Sequence, residues 1–255
     1  MKKTLIALMA LAGVLGATES SPITLFDQWT FDSNLTSSGG RAFANQGATT
    51  SYANGVLTLG LDEHSDGLHL DDNNNLNLGK KNWALQITMQ LDSTDSIANN
   101  GTLFCTANGS ADEVSLQVNV NTTENSTTES FKFSNGDPID SAIVKDTMVT
   151  YTLLNYNGKL YYAQDDTWCN VILSDNTERG YIDKAFELNK LMIGFTKGGV
   201  NGLNSNVLVD DIRVYTFNHE ASKLSEVKAA LVPEPTTATL SLLALAGLAA
   251  RRRRR

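Results

Sequence analysis

Thr150-Tyr-Thr-Leu-Leu-Asn-Tyr156-Asn157-Gly158-Lys159-Leu-Tyr-Tyr162 is the stretch whose reading decides the fold. Two runs rich in β-branched and aromatic residues flank Asn157-Gly158, a pair that accepts positive φ at both positions and closes a tight hairpin. Outward from this hairpin, short stretches alternate at period two between clusters of Gly, Asn, Asp and Ser, the pattern of antiparallel strands and turns. Strands are predicted at 28–31, 55–59, 83–91, 102–106, 114–120, 130–134, 148–155, 159–164, 169–173, 191–195 and 207–217. One helix is predicted from His219 to Leu231, with Leu224, Val227 and Leu231 at helical spacing and Pro233 as its stop. Many strands and few helices over a body of this size predict an all-β chain of two packed antiparallel sheets.

The composition agrees. In 255 residues, 41% are hydrophobic and 19% charged, which suits one ample domain and excludes a disordered or collagen-like chain. The net charge of −8 understates the acidity of the body. Lys2, Lys3 and Arg251 to Arg255 lie at the ends, so residues 18–232 hold 13 Lys and Arg against 27 Asp and Glu, a charge of −14. Such a body repels nucleic acid, and no nucleic-acid partner is expected.

Both ends read as addresses. Residues 1–17 place Lys2 and Lys3 before the apolar run Thr4 to Val14 and the small residues Gly16 and Ala17, the build of a secretory signal peptide with an apolar helix. At the other end stand Pro233-Glu234-Pro235, fifteen mostly apolar residues from Thr236 to Ala250, and five arginines, Arg251, Arg252, Arg253, Arg254 and Arg255. As a helix the apolar segment extends roughly 22 Å, short of a bilayer core of about 30 Å. The arginines would stay on the cytoplasmic side and stop transfer. A plain tail anchor is the alternative. Residues 232–255 resemble the PEP-CTERM sorting signal. That resemblance implies export by the secretion machinery, a short transmembrane helix held in the inner membrane, processing by an exosortase, and a cell-surface or extracellular destination.

A second resemblance covers residues 25–231. Trp29-Thr-Phe31-Asp32 with Asn34-Leu35, Trp83-Ala-Leu-Gln-Ile-Thr-Met89, the hairpin above, and Leu191-Met-Ile-Gly194 followed by Val209-Asp-Asp-Ile-Arg-Val-Tyr215 and Leu224-Ser-Glu-Val227 are similar to the LamG-like, concanavalin-like jelly roll. It implies a two-sheet antiparallel jelly-roll sandwich. One departure is Asp165-Asp166-Thr167, where that family often has Tyr-Val-Asp-Gly.

Such folds include glycosidases, which makes carboxylates the first test. Retaining glucanases on this fold use Glu-x-Asp-x-Glu on one strand, with the outer pair about 5 Å apart. No Glu here is followed two places later by Asp. Asp210 and Asp211 are adjacent, and adjacent strand residues face opposite sides, so they are not expected to act as one pair. Asp210 is a candidate calcium ligand or turn residue, with Asp211 a partner for Arg213. Asp62 and Asp66 lie in a turn that starts like a calcium loop but lacks its later ligands, leaving a Ca²⁺ site or a solvated loop. His64 and His69 lack a third ligand for zinc. Cys105 and Cys169, in an exported chain, are a candidate disulfide or two buried thiols. Trp168, beside a polar loop, is the candidate glycan contact, whereas Trp29 and Trp83 belong to the core. Asn121 to Glu129 is a polar low-complexity loop with formal glycosylation triplets, and Gly194 to Gly202 a flexible turn.

These readings predict an exported binding or structural protein that contacts glycans or matrix and is not an enzyme. The alternative is a glycan-degrading enzyme, a glycosidase or polysaccharide lyase.

Overall fold

The computed structural model describes residues 21–232 apart from 64, 94–96, 107–111, 123–126, 135–136, 174 and 196–201. The signal peptide, the sorting signal with its apolar helix, and His64 lie outside the described residues. The strands in chain order are β1 (Thr24–Trp29), β2 (Phe43–Gln46), β3 (Thr49–Ala53), β4 (Val56–Gly60), β5 (Gly67–Leu70), β6 (Trp83–Leu91), β7 (Thr102–Cys105), β8 (Ser115–Thr122) and β9 (Thr127–Phe133). After them come β10 (Pro138–Ala142), β11 (Val149–Tyr156), β12 (Lys159–Gln164), β13 (Thr167–Trp168), β14 (Val171–Ile172), β15 (Glu178–Arg179), β16 (Met192–Ile193), β17 (Val207–Thr216) and helix α1 (Leu224–Leu231).

They form two antiparallel sheets packed as a jelly-roll sandwich. The first runs β13-β12-β11-β6-β17-β4-β3, with β1 also on β17; the second runs β15-β14-β10-β9-β8-β7-β16-β5-β2. The hairpin forms as the Asn-Gly turn demands, with Asn157 at φ 47° and Gly158 at φ 78° and β11 paired with β12 from Tyr156↔Lys159 to Tyr151↔Gln164. Along β6, Trp83, Leu85, Ile87, Met89 and Leu91 point into the sandwich, joined there by Tyr151 and Leu153 of β11 and by Phe104, Leu116, Val118, Phe131 and Phe133 of the second sheet. Burial of this continuous apolar layer is the main stabilising term.

Polar atoms inside the core are used as pins. Trp29 Nε1 donates to the Arg41 carbonyl at 3.1 Å and Trp83 Nε1 to the Phe186 carbonyl at 3.2 Å. Fully buried Asn155 donates to the Lys81 carbonyl and accepts from the Phe186 amide, tying two loops to β11. Helix α1 lies on the outer face of the first sheet, packing Val227 and Leu231 against Ala84, Leu154, Tyr161 and Ile23.

Two expectations need correction. Asn121 to Glu129 is not a loop throughout, because Asn121 pairs with Thr128 and Thr122 with Thr127 at the end of a strand pair. The helix is also shorter than its apolar spacing predicted. Lys223 is its N-cap, and Asn218 accepts from the Ala221 and Ser222 amides in a separate turn before it.

Candidate functional site

The site begins with a break in alternation along β17. Val207 and Val209 are buried, and so are Ile212 and Val214. Two residues, Asp210 and Asp211, separate Val209 from Ile212, where strict alternation allows one. The register against β6 shows why: Val209 faces Met89 and Asp211 faces Thr88, so Asp210 is an extra residue, a β-bulge. Both carboxylates therefore line one cleft on the outer face of the first sheet. The expectation that Asp210 and Asp211 cannot act together is corrected, because the bulge cancels the alternation on which it rested.

The cleft encloses about 630 Å³. Its floor is Gln86 and Thr88 of β6, Thr150 of β11, and Asp211, Arg213 and Tyr215 of β17; one wall is Ala230, Leu231 and Val232 at the end of α1. Gln86 fixes that wall, its Nε2 donating to the Leu231 carbonyl at 2.6 Å and to Thr152 Oγ1 at 3.1 Å. The Thr88 and Thr150 hydroxyls are hydrogen-bonded at 2.9 Å. Asp211 accepts from Gln28 Nε2 at 2.9 Å and pairs with Arg213 Nε at 2.5 Å, its side chain 15% exposed. Burial raises its carboxyl above the ordinary aspartate value, and the nearby Asp210 charge adds to this. Gln28 and Arg213 oppose the shift without cancelling it. A carboxyl held towards its protonated form beside a second carboxyl is the equipment of proton transfer.

Other candidate residues stand elsewhere. Trp168 is half-buried against the apolar cluster beneath α1, with Lys228 Nζ 4.4 Å from its ring centroid, so it packs under the helix and does not line the cleft. Asp66 is buried and accepts from the Glu63 amide at 2.8 Å, so it closes its own loop. Gly47, at φ 74°, leaves room for that carboxylate where a Cβ would meet it at 2.1 Å. Asp62 is exposed. Asp62 and Asp66 share that loop, while Asp210 lies in the cleft. Among the described residues no group of three or more His, Cys, Asp or Glu is placed to hold a metal. The expected disulfide is also corrected: Cys105 and Cys169 are not joined. Cys105 packs with Met192 and Phe195, Cys169 in the main core, and pairing of this kind depends on topology that spacing does not reveal.

No family model matches the chain, and no curated protein does. Solved structures do. Domain 4 of AbnA, a GH43 extracellular arabinanase from Geobacillus stearothermophilus, in complex with arabinotriose, superposes with a TM-score of 0.54 at 13% identity, covering 82% of this chain and 98% of that one. Trypanosoma rangeli sialidase, in complex with the inhibitor DANA, superposes with a TM-score of 0.52 at 11% identity, covering 83% of this chain and 33% of the sialidase. The calcium-bound exoplasmic/lumenal domain of VIP36 gives 0.46 at 12% identity, over 82% and 97%. At these identities the likeness is one of fold. The expectation that the chain is not an enzyme is corrected as far as fold goes: matches above 0.5 include a domain of an arabinanase and a sialidase, so this fold occurs within glycan-degrading proteins. The absence of Glu-x-Asp-x-Glu does not dispose of a bulge that puts two acids in one cleft.

Proposed function

We propose that the chain is an exported protein that degrades glycans in the cleft on the outer face of the first sheet. The bulge at Asp210 is the observation that carries this reading, since it brings two carboxyls to one cleft. Asp211, buried and held towards its neutral form, gives its proton to the glycosidic oxygen as the bond to the anomeric carbon breaks. Asp210 accepts the proton of the attacking water. Gln28 and Arg213 hold Asp211 in place, and the Thr88 and Thr150 hydroxyls offer hydrogen bonds to sugar hydroxyls. The arabinotriose complex of a similar fold supports glycans as the ligand class.

The test is release of reducing ends, or of unsaturated ends for a lyase, from a panel of polysaccharides that includes arabinan and sialylated glycans. It is run with calcium and with a chelator. Turnover is expected in the native protein, with a loss of about 10²- to 10⁴-fold in Asp211→Asn. Binding without turnover by the native protein would leave a glycan-binding cleft and remove the catalytic assignment.

We further infer that Pro233, Glu234, Pro235 and Arg251 to Arg255 act as a sorting signal, read by an exosortase and leading to the cell surface or beyond. Support comes from the order of its three parts: an extended motif, an apolar segment that barely spans, and a cationic stop. Mass measurement of the C-terminus on exported protein tests it. Recovery of Arg255 would replace it with a permanent tail anchor.

A further inference from the structure

On the outer face of the second sheet, three soft ligands from three neighbouring strands stand side by side. Met192 of β16 is directly opposite His69 of β5 on one side and Cys105 of β7 on the other. Their chain neighbours Leu68, Leu70, Ile193 and Phe104 belong to the sandwich core, so alternation sends all three outward. Directly opposite residues hold their Cβ atoms about 4.5–5.5 Å apart, which puts the flexible Met192 thioether within reach of both neighbours. This patch is not solvated surface. Cys105, Met192 and Phe195 form a buried cluster of their own, and the Phe195 ring meets the His69 imidazole edge-on at 6.3 Å. His69 Nδ1 is buried and has no hydrogen-bond partner. A buried imidazole nitrogen left unsatisfied is costly unless a ligand takes it up.

We propose that His69, Met192 and Cys105 form a site for a soft monovalent cation, Cu(I). A thiolate, a thioether and an imidazole are the ligand set that softness favours for this ion. Binding releases the Cys105 thiol proton to solvent, and the resulting thiolate, the thioether sulfur and an imidazole nitrogen hold the ion without any change of oxidation state. Zinc is disfavoured, because it prefers three or four nitrogen, thiolate or carboxylate ligands and a thioether is a poor substitute. The site stands apart from the carboxylate cleft, on the other sheet.

The test is anaerobic competition between the reduced full chain and bicinchoninate for Cu(I). The native protein is expected to withdraw one equivalent. Met192→Leu and His69→Asn should each weaken binding at least tenfold, Cys105→Ser should abolish it, and Cys169→Ser should leave it unchanged. X-ray absorption of the loaded protein should show mixed sulfur and nitrogen coordination. Should Cys105→Ser fail to fold by near-ultraviolet circular dichroism, the nearly isosteric Met192→Leu decides. The proposal is overturned if the native protein withdraws no copper, if Met192→Leu binds as tightly as native, or if the loss follows Cys169 instead.

Discussion

Asp27 and Asp211 occupy one pair of strands, each follows a bulged residue, and their carboxyls are driven in opposite directions. On β1 the extra residue is Phe26, which turns Asp27 inward; on β17 it is Asp210, which leaves Asp211 facing outward into the cleft. Asp27 is the more buried, at 1% exposure, and burial alone would raise its carboxyl. It is held below the ordinary value because Arg41 Nη1 donates at 2.8 Å and the Gly39 and Gln28 amides at 2.8 and 2.9 Å. Asp211 has one amide group and one guanidinium, and for it burial prevails. Depth does not decide the state of a carboxyl; the number of donors aimed at it does. Gln28 serves both, its backbone for Asp27 and its side chain for Asp211.

The largest effect expected from breaking this pair is that of Asp27→Ala. It leaves Arg41, whose side chain is 27% exposed, and two backbone amides without their acceptor and should cost about 2–3 kcal/mol in urea unfolding at neutral pH. The lowered carboxyl also carries a pH signature. Its contribution is present above the unfolded value of about 3.9 and is lost as pH falls through the folded value, so Asp27→Asn should flatten the acid limb of the stability profile.

Deleting Asp210 comes next. The deletion restores plain alternation, with Val209 and Ile212 still inward and Asp211 outward. The fold should survive within about 1 kcal/mol while turnover is lost. Unfolding of the variant at room temperature would refute the bulge as a local device.

Asp211→Asn should move stability the other way. A carboxyl raised in the folded state contributes most below the unfolded value, and that contribution is lost as pH rises through the folded value. The asparagine variant should therefore melt higher than native at pH 7, by less than about 1 kcal/mol, and equal it near pH 3. The smallest effect sharpens the comparison most. Gln28→Ala should raise the Asp211 titration seen by carbon NMR and leave that of Asp27 in place, because only the side-chain bond is removed.

Much of the fold was legible because some apolar and aromatic runs are cleanly bounded by turn residues: β6 and β12 span the predicted residues, although both are buried on their two faces. Strands β2 and β3 were not, since Phe43–Gln46 and Thr49–Ala53 are mostly exposed and owe their form to pairing with β5 and β4. Asp210 and Asp211 stood out in the sequence, but their geometry was misjudged. The signal was present in the spacing of Val207, Val209, Ile212 and Val214, where the step of three betrays an extra residue. The soft-ligand patch had no such trace, because residues 69, 105 and 192 meet only through the strand order.

Gln86 has a consequence for how the molecule is reached. Its grip on the Leu231 carbonyl makes the last turn of α1 a wall of the cleft, and the polypeptide leaves that wall at Val232. Whatever holds the following segment thus holds it at the doorway. On the sorting reading proposed above, attachment and admission would be a single variable: a short tether would bring the doorway close to the surface that bears it, and cutting the tether would open the approach without altering the floor.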